Sequence, residues 1–109
     1  HHAFARKIEE CEDVVILDVR TKKEFEEGHI PSARNYDISH PDFPAWIQQL
    51  SRSKDYFVYC RSGARSLTAC QLLATLGFLN VHNLRDGIIA WDGPLEREPK
   101  RPTRRRRDR

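Results

Sequence analysis

Cys60, Arg61, Gly63 and Arg65 fall within six consecutive positions, directly after the apolar run Tyr56-Phe57-Val58-Tyr59. A cysteine acts as a nucleophile only as its thiolate. With an ordinary pKa near 8.5 it is about 3% ionised at pH 7, against about 90% if the pKa falls to ~6. If Cys60 ends a strand and Arg65 opens a helix, Arg61 to Ala64 form a tight arc whose successive backbone N–H groups converge on one point. Backed by the positive end of a helix dipole, such an arc is an anion site. Gly63 supplies the unusual backbone dihedral that the arc requires, and Arg61 and Arg65 put positive charge on its rim. The loop Cys60, Arg61, Ser62, Gly63, Ala64 and Arg65 would then activate the thiol and afterwards hold an anionic substrate or leaving group. The competing reading makes Cys60 an ordinary buried strand residue among solvated arginines, because free cysteine is among the most buried residue types. Strand-end position, intervening glycine and paired arginines together favour chemistry.

The elements around the loop follow from patterning. "VVILD" (Val14 to Asp18) and "YFVYC" (Tyr56 to Cys60) are continuously apolar, as strands buried on both faces of a parallel sheet are. Thr21 and Glu24 have capping-box spacing, so Thr21 to Glu27 forms a short helix, with Gly28 placed for a left-handed C-cap. Pro31, Pro41 and Pro44 break the stretch 29–44 into an ordered loop with a brief strand near Tyr36. Helices are expected over 4–10, 45–50 and 87–91, and a strand over 81–84. The strongest helix runs from Arg65 to Leu76 and stops at Gly77; Leu67, Leu72, Leu73 and Leu76 leave it only a narrow stripe of water-facing positions. Strands alternating with helices give an α/β sandwich around a mainly parallel sheet.

At 109 residues the chain suits one domain that buries roughly 60–70% of its unfolded surface. Charge is unevenly distributed. Residues 96–109 carry eight basic and three acidic side chains, leaving residues 1–95 with a net charge of −2. A folded domain over 1–95 and a disordered basic tail over 96–109 are therefore expected. The tail lacks interleaved aromatics, so any nucleic-acid contact would be salt-sensitive phosphate binding without base recognition. No membrane span or signal peptide is visible, and three cysteines, Cys11, Cys60 and Cys70, without zinc spacing fit a reducing, cytoplasmic setting. Cys11 or Cys70 could in principle resolve an oxidised Cys60, but a cysteine inside a leucine-rich helix reads as packing. His1-His2 reads as a cloning remnant, and Trp46 and Trp91 as core or pocket wall.

With these residues in place, the sequence resembles the rhodanese family, and specifically its single-domain sulfurtransferases. Three blocks carry the likeness: "ILDVRTKKEFEEGHIPSARN", "YFVYCRSGARS" with "LLATLGF" behind it, and "NLRDGIIAW". The resemblance implies a three-layer sandwich with a parallel sheet of four to five strands flanked by helices. It implies a Cys60 that takes a sulfane sulfur from thiosulfate or a persulfide donor and passes it to cyanide, a thiol or a protein acceptor, with no metal or organic cofactor. It makes Arg61 to Arg65 the substrate-binding loop, Asp18 and Arg20 its braces, and His29 a fold residue. The related phosphatases and arsenate reductases use a seven-position loop, so six positions disfavour phosphate. The alternative from another functional class is a binding or sulfur-sensing module without turnover. Two departures stand out: Asp86-Gly87 occupies the place of paired glycines, and the family's first strand is missing or partial.

Overall fold

A computed structural model describes residues 13–97, so the helix expected over 4–10, Cys11 and residues 98–109 lie outside it. Among the described residues four parallel strands form one sheet: β1 (Val14–Asp18), β2 (Arg34–Asn35), β3 (Asp55–Tyr59) and β4 (Asn80–Asn83), in the order β2-β1-β3-β4. Helix α1 (Lys22–Glu27) follows β1, α2 (Phe43–Gln48) precedes β3, α3 (Ala64–Thr75) joins β3 to β4, and a 3-10 turn (Ile88–Ala90) follows β4. Among the described residues no helix is long and apolar enough to cross a membrane.

The two continuous apolar runs form the central strands. Val14 to Asp18 pairs in register with Asp55 to Tyr59. Alternate residues point to opposite faces. Val15, Leu17, Tyr56 and Val58 pack with Phe43, Ile47, Ala69 and Leu73 beneath α2 and α3, while Ile16, Phe57 and Tyr59 pack with Ile30 and Leu84 on the other face, which Ile88 and Trp91 help to cover. Because every pairing is parallel, all four strands end on the same edge. From β1 the chain goes first to β2 and then back across to β3. In open α/β sheets, the crevice outside such a reversal is where ligands bind. Asp18 and Cys60 sit at that edge.

Several local expectations change. Helix α1 has its capping box: Glu24 N–H donates to Thr21 Oγ1 at 3.2 Å and Thr21 N–H donates to Glu24 Oε1 at 3.0 Å. Gly28 is extended, with φ 164 and ψ 129, and not left-handed. Its N–H closes the helix onto the Phe25 carbonyl at 3.2 Å while its neighbour His29 runs straight into backbone pairing with Glu96. Helix α3 starts one residue early, at Ala64, and its fully buried positions are Ser66, Ala69 and Leu73. Small residues there let the backbone approach the sheet closely, which leaves Leu67 49% exposed and Leu72 and Leu76 only partly buried. The narrow water-facing stripe expected from the leucines is therefore a broad face.

Candidate active site

Cys60 is the first residue after β3 and is 1% exposed. Its Sγ accepts a hydrogen bond from the Gly63 N–H at 3.0 Å, and its thiol donates to Ser66 Oγ at 3.4 Å. While the thiol is protonated the Ser66 hydroxyl donates to the Gly63 carbonyl at 3.1 Å; when Cys60 ionises, that one proton turns to Sγ. Burial opposes ionisation of the thiol. The Ser66 hydroxyl and the backbone N–H groups of Ser66, Gly63 and Ser62 outweigh it and hold the thiol below its ordinary pKa. The sulfur thus occupies the point where loop N–H groups and the start of α3 converge.

That convergence needs the peptide carbonyls to face elsewhere, and the segment after β4 arranges this. Ile88 N–H donates to the Cys60 carbonyl at 2.9 Å and Ile89 N–H to the Arg61 carbonyl at 3.1 Å. Both carbonyls are drawn outward, and the N–H that follows the Arg61 carbonyl, that of Ser62, faces the sulfur. The close fit explains two glycines. Gly63 has φ 106, and a Cβ there would lie 1.8 Å from the Arg85 carbonyl oxygen; Gly87 has φ 73, and a Cβ there would lie 2.0 Å from that of Arg61. One glycine at position 87 suffices for this approach, and Asp86 projects to solvent.

The charged residues divide into two groups. Arg65 binds Glu24 bidentately, Nη1 to Oε1 at 2.8 Å and Nη2 to Oε2 at 3.1 Å. Arg65 first, and the capping contacts from Thr21 after it, hold the Glu24 carboxyl down at about 2, against the opposing effect of burial. Arg65 therefore ties the start of α3 to the start of α1. Arg20 lies deeper: its Nε and Nη2 donate to fully buried Asp18, and Nη2 also reaches the Gly28 carbonyl at 2.6 Å. The pair lies beside Tyr59, with the guanidinium 5.5 Å from its ring, and Tyr59 Oη accepts from Ile30 N–H at 3.0 Å. Arg61 differs from both, being exposed and lining the groove beside the loop, with no hydrogen-bond or ion-pair partner for its side chain among the described residues. Ser62 contributes its N–H to the sulfur, and Ala64 begins α3.

The peripheral residues have structural surroundings. His29 is buried, stacks on Phe25 at 3.7 Å between ring centroids and places Nδ1 2.8 Å from the Phe25 carbonyl. Cys70 is a free thiol packed against the α3-side core. Burial, and secondarily the Cys60 charge, push it up to about 12. Trp46 lines a small cavity with Tyr36 and Gln49, and Trp91 covers the second core face. Among the described residues no three His, Cys, Asp or Glu side chains converge as metal ligands.

Ser66 is the contact of the Cys60 thiol that sequence reasoning overlooked. Its signal was a hydroxyl residue three positions after a glycine N-cap, on the face of the helix that meets the cysteine. The Arg65–Glu24 tie was also missed, although Glu24 had been picked out as a capping residue.

Comparison with known proteins places this geometry. The rhodanese-like domain model matches residues 1–93. The chain is 38% identical over 89 residues to a sulfurtransferase of Allochromatium vinosum, covering 82% of this chain and 81% of that one. It is 40% identical over 98 residues to the putative sulfurtransferase YtwF of Bacillus subtilis, covering 90% of each. The crystal structure of the Alr3790 protein from Anabaena superimposes with a TM-score of 0.77 at 31% identity, over 89% of this chain and 78% of that one. The parallel sheet, the cysteine loop at the edge where its strand order reverses and the sequence matches agree, and the chain belongs to the rhodanese-like family.

Proposed function

We propose that the protein moves sulfane sulfur from thiosulfate, or from a persulfide donor, to cyanide or a thiol through a persulfide on Cys60. The observation that carries this reading is the sulfur at the focus of the Ser62, Gly63 and Ser66 N–H groups. Such a cradle stabilises a thiolate before reaction and a persulfide anion after it. The names of two relatives, a sulfurtransferase and a putative sulfurtransferase, support the same chemistry.

In the first half-reaction the Cys60 thiolate attacks the outer sulfur of thiosulfate. A bond forms from Sγ to that sulfur as the donor's sulfur–sulfur bond breaks, and sulfite leaves with the electron pair. Arg61, whose side chain has no partner among the described residues, attracts the dianion; Arg65, engaged by Glu24, shapes the loop. In the second half-reaction the acceptor attacks the outer sulfur, the Cys60 disulfur bond breaks, and Sγ recovers its electron pair. Cyanide departs as thiocyanate and a thiol as its persulfide. The electron balance closes without a redox cofactor.

The test is thiosulfate-dependent formation of thiocyanate from cyanide. Activity is expected in the wild type and in Cys70→Ala, and none in Cys60→Ala. Undiminished thiocyanate formation by Cys60→Ala would remove Cys60 from the chemistry.

A further inference from the structure

A groove of about 430 Å³ opens beside the loop, between α1 and the 3-10 turn. Four charged side chains line it, and two of them are engaged. Arg20 is held by Asp18 and the Gly28 carbonyl, and Glu24 by Arg65 and Thr21. The other two, Arg61 and Glu27, are exposed and have no hydrogen-bond or ion-pair partner among the described residues. Each belongs to a different element: Arg61 to the cysteine loop, Glu27 to the end of α1. Between them the wall is apolar, formed by Ile88 and Ile89 and by Leu95, whose Cδ1 would touch a Cβ built on Gly28 at 3.7 Å. Ile89 is 67% exposed and Leu95 47%. Leu95 is kept in place because its neighbour Glu96 pairs with His29 through backbone hydrogen bonds of 2.7 and 2.8 Å.

A groove with one free cation, one free anion and an apolar wall is complementary to a small molecule that carries both charges. Neither cyanide nor thiosulfate uses the carboxylate. Resting on the persulfide reading above, we propose that this groove is the acceptor subsite and that it selects a small zwitterionic thiol of the α-amino-acid type. The ligand's ammonium faces Glu27 and its carboxylate faces Arg61. Glu27 is then a specificity-determining residue. The acceptor thiol gives its proton to the outer sulfur of the Cys60 persulfide anion, and the resulting thiolate attacks that sulfur. A sulfur–sulfur bond forms to the acceptor, the Sγ–sulfur bond breaks, the electron pair returns to Sγ, and the proton leaves on the product persulfide.

The experiment loads the full chain with thiosulfate, removes the excess, and follows discharge of the persulfide by intact mass in single turnover. Four probes are used: cysteine, N-acetylcysteine, cysteine methyl ester and 2-mercaptoethanol, with each rate corrected to thiolate concentration. Cysteine is expected to discharge the enzyme about two- to fivefold faster than either singly charged thiol, the effect of one exposed charge contact. Glu27→Gln should bring cysteine down to the rate of N-acetylcysteine, and Glu27→Lys should favour N-acetylcysteine over the methyl ester. Equal corrected rates for the four thiols, or a Glu27→Gln variant that keeps the full preference for cysteine, would overturn the assignment while leaving sulfur loading intact. Failure to load at all would overturn the sulfurtransfer reading and this inference with it.

Discussion

Replacing Ser66 by alanine isolates what activates Cys60. The substitution deletes the hydroxyl 3.4 Å from Sγ in a position that is fully buried, where alanine fits the helix and adds no atoms. The Gly63 carbonyl loses the Ser66 donor but keeps the Leu67 N–H at 3.0 Å. The cost to the fold is therefore that of one ordinary hydrogen bond, about 1 kcal/mol. The thiolate loses more. A hydrogen bond to a charged group contributes about 1.5–3 kcal/mol, which corresponds to roughly a 10- to 100-fold smaller thiolate population wherever the thiol is mostly protonated. The sign follows from the direction of the shift. The native donors lower the Cys60 pKa, so removing one raises it, and the rate of sulfur loading from thiosulfate moves toward alkaline pH. Stopped-flow loading across the pH range should show a loss of roughly 10- to 100-fold on the acid side that fades as the variant's thiol ionises. A variant with an unshifted pH profile, or one impaired equally at every pH, would refute the view that Ser66 acts through thiol ionisation.

Three further outcomes follow from the same geometry. Gly87→Ala drives a Cβ to within 2.0 Å of the Arg61 carbonyl oxygen and demands φ 73 of a residue with a side chain; the loop must shift, and loading should fall at least about tenfold with a native far-UV circular dichroism spectrum. Asp18→Ala strands the Arg20 guanidinium in the interior, so urea denaturation should report a loss of about 3–5 kcal/mol. Glu24 is held at about 2 when folded against 4.5 otherwise, a depressed carboxyl whose stabilisation is complete above pH 4.5 and lost as pH falls toward 2. Discounted for partial exposure, that contribution is about 1–2 kcal/mol, so the urea midpoints of wild type and Glu24→Gln should differ at pH 7 and converge near pH 2.

Much of this architecture was legible in the residues themselves. The two continuous apolar runs became the central parallel strands because a strand covered on both faces has no reason to alternate. Thr21 and Glu24 marked the start of α1 by a contact only three residues long, and Gly63 marked the positive φ of the cysteine loop. What escaped depended on contacts between distant segments. Arg65 and Glu24 are 41 residues apart, so Arg65 read as a free rim cation and not as a tie between helices. The outward turn of the Cys60 and Arg61 carbonyls depends on N–H groups of Ile88 and Ile89, and a backbone donor leaves no mark in side-chain pattern. Helix α3 misled because counting leucines ranks residues by hydrophobicity, whereas close packing on the sheet selected Ser66 and Ala69 for their size.

Sulfur transfer through Cys60 is tested most directly by intact-mass and peptide-mapped spectrometry of the protein after brief exposure to thiosulfate. One added sulfur, about 32 Da, should map to Cys60, disappear on addition of cyanide and be absent from Cys60→Ala. A protein that gains no mass at any donor concentration, or gains it on Cys70 and not on Cys60, would contradict the account.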